Sequence, residues 1–138
     1  MPDYFPAFFD LRGRRCLVVG GGRVGERKVR ELLACAARVT VVSPALTPEL
    51  AALADTGCIE HRRRSFRRAD VRGCVVAIAA TGRPHVDGAV ATAARRHRAF
   101  VNVVDRPEAC DFIFGSVLRR GELQIAVSTL GGVTIRSP

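Results

Sequence analysis

The chain has 138 residues, of which 48% are hydrophobic, so it can bury one core and predicts a single domain with at most a short appendage. Its longest apolar runs, such as residues 74–80, are far too short to cross a bilayer, and no charged-then-apolar leader opens the chain, so we expect a cytoplasmic protein. The net charge of +9 comes almost wholly from arginine and suits an anionic partner, but nucleic acid is disfavoured because the chain has one tyrosine, no tryptophan and no recognisable nucleic-acid-binding motif.

A glycine-rich turn lies near the start of the chain, in the segment C-L-V-V-G-G-G-R-V-G-E-R-K over residues 16–28. Gly20, Gly22 and Gly25 have the G-x-G-x-x-G spacing that lets a strand turn sharply into a helix. Because glycine has no Cβ, a pyrophosphate can come close, and the free N–H groups of the first helical turn then point at it. We therefore favour nucleotide binding well above a turn that serves packing alone.

Short apolar runs alternate with segments of helical periodicity as far as residue 105. This alternation predicts an α/β fold, a Rossmann-like open parallel sheet with helices on both faces. After an extended lead-in over residues 4–11, we expect strands at 16–20, 39–42, 59–63, 74–80 and 100–104, and helices at 23–36, at 48–55 with Thr47 as cap, and at 84–96.

The pattern changes after residue 105. Residues 112–118 and 123–128 are strand-like, and the intervening residues 119–122 are typical of a hairpin turn. We expect an antiparallel pair that extends the parallel sheet, followed by a tail without a clear pattern from residue 130.

The carboxyl ends of the predicted strands should converge on one crevice, since ligands of open α/β sheets lie there. The expected cofactor contacts are the glycine turn, Ser43 after the second strand and Thr81 after the fourth. A usual NAD fingerprint has an acid where this chain has Ser43, so ribose recognition falls to Ser43, to backbone groups or to neither. No arginine follows Ser43 immediately, so NADP is not favoured.

Asp105 is the carboxylate that we single out, because it ends an apolar strand at the ligand edge. Partial burial there would suit general acid–base work. A loop-capping aspartate ahead of Arg106 and Pro107 is an equally good interpretation. We expect Asp111 to be structural and the scattered histidines to be ordinary solvated ones: His61, His85 and His97.

No metal site or disulfide framework is predicted. The five cysteines lack a C-x-x-C pair and stand mostly in apolar segments, which indicates buried free thiols. A basic run over residues 62–68 is interpreted as a solvated face, slightly ahead of a dedicated anion site.

Five segments of the chain form a recognisable set. They are residues 4–11, V-V-G-G-G-R-V-G-E-R-K-V-R at 18–30, V-T-V-V-S-P at 39–44, A-I-A-A-T at 77–81 and F-V-N-V-V-D-R-P-E-A-C-D-F-I-F at 100–114. Together they resemble the N-terminal module of siroheme synthase, which is also found alone as precorrin-2 dehydrogenase, sometimes with sirohydrochlorin ferrochelatase activity. The last segment is the most specific, and the resemblance covers nearly the whole chain up to Thr129.

The resemblance implies an NAD-dependent oxidation of precorrin-2 to sirohydrochlorin by a homodimer without a resident metal, and it leaves open a later insertion of ferrous iron. It places the general base on Asp105 and cofactor contacts on Arg23, Val24, Pro44 and Ala45. The many carboxylates of the tetrapyrrole would give the arginine excess a small-molecule partner. The implied organisation is an NAD-binding domain over residues 1–112 and the start of a dimerisation segment over 113–138.

The chain departs from the family pattern at three places. Gly115 stands where a proline is usual, and T-G-R-P at residues 81–84 replaces T-D-D-P. From residue 128 the chain has S-T-L-G-G-V-T-I-R-S-P in place of S-T-G-G-x-S-P, so we expect a truncated or altered end. A module that binds and senses a dinucleotide without chemistry is therefore the rival hypothesis.

Overall fold

A computed structural model of the chain describes residues 3–129. Five strands form one parallel sheet in the order β3-β2-β1-β4-β5. They are β1 (Arg15–Val19), β2 (Arg38–Val42), β3 (Glu60–Arg62), β4 (Val76–Ala79) and β5 (Phe100–Val103). The predicted Rossmann-like sheet is confirmed, with strand ends within one or two residues of those expected.

Three helices connect these strands: α1 (Arg23–Ala34), α2 (Pro48–Asp55) and α3 (Pro84–Arg96). The chain moves outward from β1 through β2 to β3, and then in the opposite direction from β4 to β5. Because parallel crossovers are right-handed, α1 and α2 cover one face of the sheet and α3 the other. The direction reverses between β1 and β4, which is where doubly wound sheets open a crevice.

The core lies on the two central strands. Leu17 in β1 and Ile78 in β4 are fully buried, as are Val29 of α1 and Val90 of α3, which cover the sheet from either side. Both faces of these strands are covered, which explains why their sequences are apolar throughout and do not alternate. None of the helices in the described part of the chain is long and apolar enough to cross a membrane.

The C-terminal strands, β6 (Ser116–Arg120) and β7 (Leu123–Val127), are antiparallel as predicted. They form a two-stranded sheet of their own, so the expected extension of the parallel sheet is wrong. The free edge of β5 is already covered: the Asp111 N–H donates to the Val101 carbonyl at 2.8 Å, and the Val101 N–H donates to the Asp111 carboxylate at 3.0 Å. Val101 therefore has no backbone group left for pairing with a further strand.

The hairpin turn is also tighter than predicted. Arg119 and Arg120 belong to β6, and only Gly121 and Glu122 form the turn. Gly121 has φ +53°, which a two-residue hairpin turn needs at its first position. The sequence prediction placed both arginines in the turn, but an exposed strand tolerates them equally well.

By contacts, the described residues divide into two units, one comprising 10–112 and the other 3–9 together with 113–129. The lead-in over residues 3–11 has no regular secondary structure, and its Phe5 and Phe8 are exposed. The predicted domain boundary after residue 112 and the dimerisation role of the segment beyond it stay predictions. The expected altered end from residue 130 lies outside the described residues.

The basic run after β3 is partly used within the fold. The Asp70 carboxylate, with 1% of its side chain exposed, accepts hydrogen bonds from Arg62 at 2.8 Å, from Arg64 at 2.7 and 2.9 Å and from the Arg67 N–H at 2.8 Å. Asp70 lies in a short 3₁₀ turn, Arg68–Val71, so this cluster fixes that turn against β3. Arg63 and Arg68 remain exposed.

Candidate functional site

The carboxyl ends of the five strands are held at one edge by a continuous row of hydrogen bonds. In each case the residue that follows one strand donates its N–H to the carbonyl of the last residue of the neighbouring strand. The row comprises Ser43 to Arg62 at 3.2 Å, Gly20 to Val42 at 3.0 Å, Ala80 to Val19 at 2.8 Å and Val104 to Ala79 at 3.0 Å. The predicted crevice residues therefore start from one common floor.

The glycines of the turn after β1 have two different roles. Gly20, at φ +127°, and Gly25 leave no room for a Cβ, which would contact the Ala80 carbonyl and the Gly20 carbonyl respectively. Gly21 is closed as well, because a Cβ there would meet the Ala45 carbonyl. Only Gly22 is open, with nothing within 4 Å of the position that a Cβ would take. Three glycines thus serve packing, and one leaves free space.

The start of α1 has no side-chain cap. Its N-cap residue is Gly22, which has no side chain to donate or accept. In α2, by contrast, Thr47 accepts a hydrogen bond from the Leu50 N–H at 3.2 Å. The first N–H groups of a helix have no partner within the helix, so an uncapped start next to open space can bind an anion. Arg23 is exposed and Val24 half-buried beside it.

The loop after β2 packs directly against the glycine turn. Ser43 is 8% exposed, and its hydroxyl donates to the Ala45 carbonyl at 2.7 Å. The Ser43 carbonyl contacts His61 Nε2 at 2.9 Å. The Ser43 side chain therefore shapes the loop, whereas Pro44 and Ala45 are exposed at the crevice.

The loop after β4 is held by a residue that the sequence did not indicate. Asp87 in the first turn of α3 is 4% exposed, and its carboxylate accepts hydrogen bonds from the Thr81 hydroxyl at 2.6 Å and the Thr81 N–H at 3.2 Å. Thr81 itself is half-buried. Its predicted contact with the cofactor stays a prediction, since its hydroxyl is already the donor to Asp87.

Asp105 follows β5 in a left-handed conformation with φ +63°, which aspartate tolerates better than most residues. Its side chain is exposed, so the expected partial burial is wrong. Within residues 3–129 its carboxylate accepts no hydrogen bond, and so the geometry does not support the loop-capping interpretation. Asp105 thus presents an available carboxylate just after β5, at the edge of the sheet that carries the glycine turn.

Lys28, the only lysine of the chain, was not singled out from the sequence. Its side chain lies on α1 with 15% exposed, and its Nζ is 3.7 Å from Glu31. Burial lowers the pKa of Lys28, while the charges of Glu31 and Asp105 oppose this shift. Lys28 and Asp105 are thus close enough for their charges to interact, which places a cation near the available carboxylate. The single lysine among so many arginines was the signal that could have indicated it.

The remaining candidates are structural. Asp111 covers the edge of β5 and also pairs with Arg95 at 3.5 Å, as expected. His85 and His97 are exposed, as predicted, and His61 is half-buried. In the described part of the chain, no group of three or more histidine, cysteine or acidic side chains could hold a metal ion.

Comparisons with known proteins relate this chain to nucleotide-binding enzymes. A family model described as putative NAD(P)-binding matches residues 7–116. Among curated proteins, the siroheme synthase of Thioalkalivibrio sulfidiphilus is 51% identical over 129 residues, which is 94% of this chain and 26% of that protein. The siroheme synthase of Methylococcus capsulatus is 47% identical over 129 residues, which is 94% of this chain and 27% of that protein.

Among solved structures, SirC, a precorrin-2 dehydrogenase, superposes with a TM-score of 0.81 at 26% identity. The match covers 94% of this chain and 64% of SirC. The chain therefore spans about a quarter of the length of the siroheme synthases and somewhat less than two thirds of the dehydrogenase. The predicted resemblance is confirmed by both comparisons.

Proposed function

Since the chain belongs to the putative NAD(P)-binding family, we propose that it is an enzyme module that oxidises precorrin-2 to sirohydrochlorin with NAD. The observation that carries the proposal is the uncapped start of α1 at Gly22, next to open space and on the same sheet edge as the available carboxylate of Asp105. The similarity to siroheme synthases and to SirC, a precorrin-2 dehydrogenase, supports this reaction.

The residues at the glycine turn fit a dinucleotide. The free space above Gly22 admits a diphosphate, and the first N–H groups of α1 would donate to it. The exposed Pro44 and Ala45 would flank the ribose, with Ser43 shaping their loop from below. No arginine follows Ser43 immediately in the chain, where it could pair with a 2′-phosphate, and NAD is therefore proposed as the cofactor in preference to NADP.

The charge around the crevice suits a substrate with many carboxylates. Arg23 at the start of α1 is exposed, as are Arg83 and Arg106 on the loops after β4 and β5, and Lys28 lies in the second turn of α1. Guanidinium groups pair with carboxylates in a bidentate way, so these side chains would orient a tetrapyrrole by its periphery.

Asp105 is proposed as the general base. Dehydrogenation removes a hydride and a proton from the substrate, and NAD, when bound, supplies the hydride acceptor. The exposed carboxylate of Asp105 can take the proton because no hydrogen bond within residues 3–129 occupies it.

The test is an NAD-dependent precorrin-2 assay on the wild type and Asp105→Asn. Asparagine tolerates the left-handed conformation, so the fold is kept, and we expect turnover to fall roughly 100-fold or more with NAD affinity nearly unchanged. Asp55→Asn, which removes an exposed carboxylate at the end of α2, should turn over normally. Equal rates for Asp105→Asn and the wild type would refute the assigned role.

The same assay distinguishes the proposed enzyme from the rival hypothesis of a dinucleotide-sensing module. A wild-type chain that binds NAD in calorimetry yet never forms sirohydrochlorin would be a sensing module without chemistry. Repeating the assay with ferrous iron tests the predicted ferrochelatase activity, and sedimentation tests the predicted homodimer.

A further inference from the structure

A second concave surface lies at the opposite edge of the parallel sheet from the glycine turn. It is a cavity of about 390 Å³ lined by the 3₁₀ turn that precedes β4 and by the last turns of α3. Because α3 begins at the crevice and is 13 residues long, the two sites are separated by roughly 20 Å. The residues that line the cavity are Arg68, Ala69, Arg72, Ala93, Arg96 and His97.

The lining of this cavity carries positive charge that none of its own residues balances. Three of the six lining residues are arginines, and none of the six is acidic. Within residues 3–129, Arg68, Arg72 and Arg96 make no ion pair. The neighbouring cations differ in this respect: Arg62 and Arg64 are paired with Asp70, and Arg95 with Asp111. Asp70 is buried, and its carboxylate is already committed to the two arginines on its own side.

Ordinary structural reasons explain only part of this cluster. A cation in the last turn of α3 interacts favourably with the helix dipole, which accounts for Arg96. It does not account for Arg68 and Arg72, which come from a different segment and bring like charges to the same concavity. Such an arrangement brings like charges together, and a bound anion would relieve their repulsion.

We propose that this cavity, the arginine cavity, binds a small anion with two or more charges, of the diphosphate class. Ala69 and Ala93 give it a shallow floor that leaves the guanidinium groups accessible, and arginine matches phosphate oxygens in a bidentate way. A nucleic-acid strand is the less suitable occupant, because the lining has no aromatic side chain on which a base could stack.

The experiment is a titration of the ¹⁵N-labelled chain with inorganic pyrophosphate at low ionic strength. We expect the amide signals of residues 68–72 and 96–98 to shift together and to saturate. The start of α1 can also bind the anion, so shifts of residues 21–24 are recorded separately as the nucleotide site. Shifts confined to residues 21–24 would overturn the proposal.

Variants make the assignment specific. Arg72→Gln and Arg96→Gln, both at exposed positions, should each weaken pyrophosphate at residues 68–72 by about tenfold, with the rest of the spectrum unchanged. Arg63→Gln removes the same charge from an exposed position outside the cavity and should leave the affinity unchanged. An equal loss with Arg63→Gln would mean a diffuse charge effect, and binding of a short oligonucleotide without binding of pyrophosphate would indicate a nucleic-acid surface. Either result would overturn the proposal.

Discussion

Gly22 is the residue at which the glycine turn leaves room for another molecule. We expect Gly22→Val to weaken NAD binding at least tenfold, because the new side chain fills the space in front of the uncapped helix start. The fold should survive, since nothing lies within 4 Å and an unfavourable N-cap residue costs about 1 kcal/mol. Calorimetry with NAD and thermal unfolding measure the two effects.

The control for Gly22 is Ala89→Val, which adds bulk at an exposed position in α3. It should leave NAD affinity unchanged. If Gly22→Val bound NAD as tightly as the wild type, the diphosphate would have to lie elsewhere.

Some residues of the site could be predicted from the sequence and others could not. The spacing of Gly20, Gly22 and Gly25 is a local signal, since each glycine has a steric requirement within the same strand, turn and helix. The role of Asp87 depends on a loop six residues earlier, and the position of Lys28 depends on burial beneath other elements. Neither can be deduced from spacing alone. The exposure of Asp105 was missed for the same reason, because the environment of a strand end is tertiary.

At the scale of single elements, α1 and α3 each contain a glycine, and the space around the two glycines differs. Gly25→Ala in α1 should destabilise the protein by about 2 kcal/mol, because the Cβ meets the backbone carbonyl of Gly20, which cannot move away without shifting β1. Gly88→Ala in α3 should stabilise it by about 0.5–1 kcal/mol, because the site is open and alanine restricts the unfolded chain. Urea unfolding of the pair measures both, and a loss of stability with Gly88→Ala would contradict the packing described.

The Asp70 cluster joins β3 to the 3₁₀ turn that comes after it. Burial alone would raise the pKa of Asp70, but the hydrogen bonds from Arg64, from the Arg67 N–H and from Arg62 lower it to about 2. Because the folded-state pKa lies below the ordinary 3.8, the stabilisation is complete above that value and is lost as the pH falls toward 2.

Asp70→Asn should therefore cost about 3 kcal/mol at neutral pH and flatten the loss of stability between pH 4 and 2, as measured by urea unfolding across that range. Asp10→Asn is the matched control. Its pKa is also lowered to about 2 by Arg12, but the pair is exposed, so stability should hardly change. Equal effects of the two substitutions would contradict a special role for the buried cluster.

The elements themselves could be predicted from the sequence wherever apolar periodicity was strong. Each strand and helix of the parallel sheet was predicted, and the Thr47 cap of α2 was located correctly. The hairpin was harder, because β6 and β7 are exposed along nearly their whole length and carry no alternation that would fix their ends. That the edge of β5 is covered depends on Asp111 folding back, which no local pattern indicates.

At the scale of the whole molecule, the central sheet should protect the thiols within it. Burial raises the pKa of Cys16 to about 12 and also raises that of Cys74, whereas Cys58 is exposed. A brief pulse of iodoacetamide at mildly alkaline pH should label Cys58 and leave Cys16 and Cys74 unmodified. Mass spectrometry of the digested chain measures this, with a pulse in denaturant as control. Labelling of Cys16 at the rate of Cys58 would mean that the sheet opens locally.

The row of hydrogen bonds from Ser43 through Gly20 and Ala80 to Val104 fixes the strand ends at the base of the crevice relative to one another. This base is preorganised, so little of the binding free energy is spent on ordering it when a ligand binds. Differences in ligand specificity among proteins built this way should then arise from the side chains of the loops that follow the strands. Substitutions there can change what is bound while the strands beneath them stay as they are.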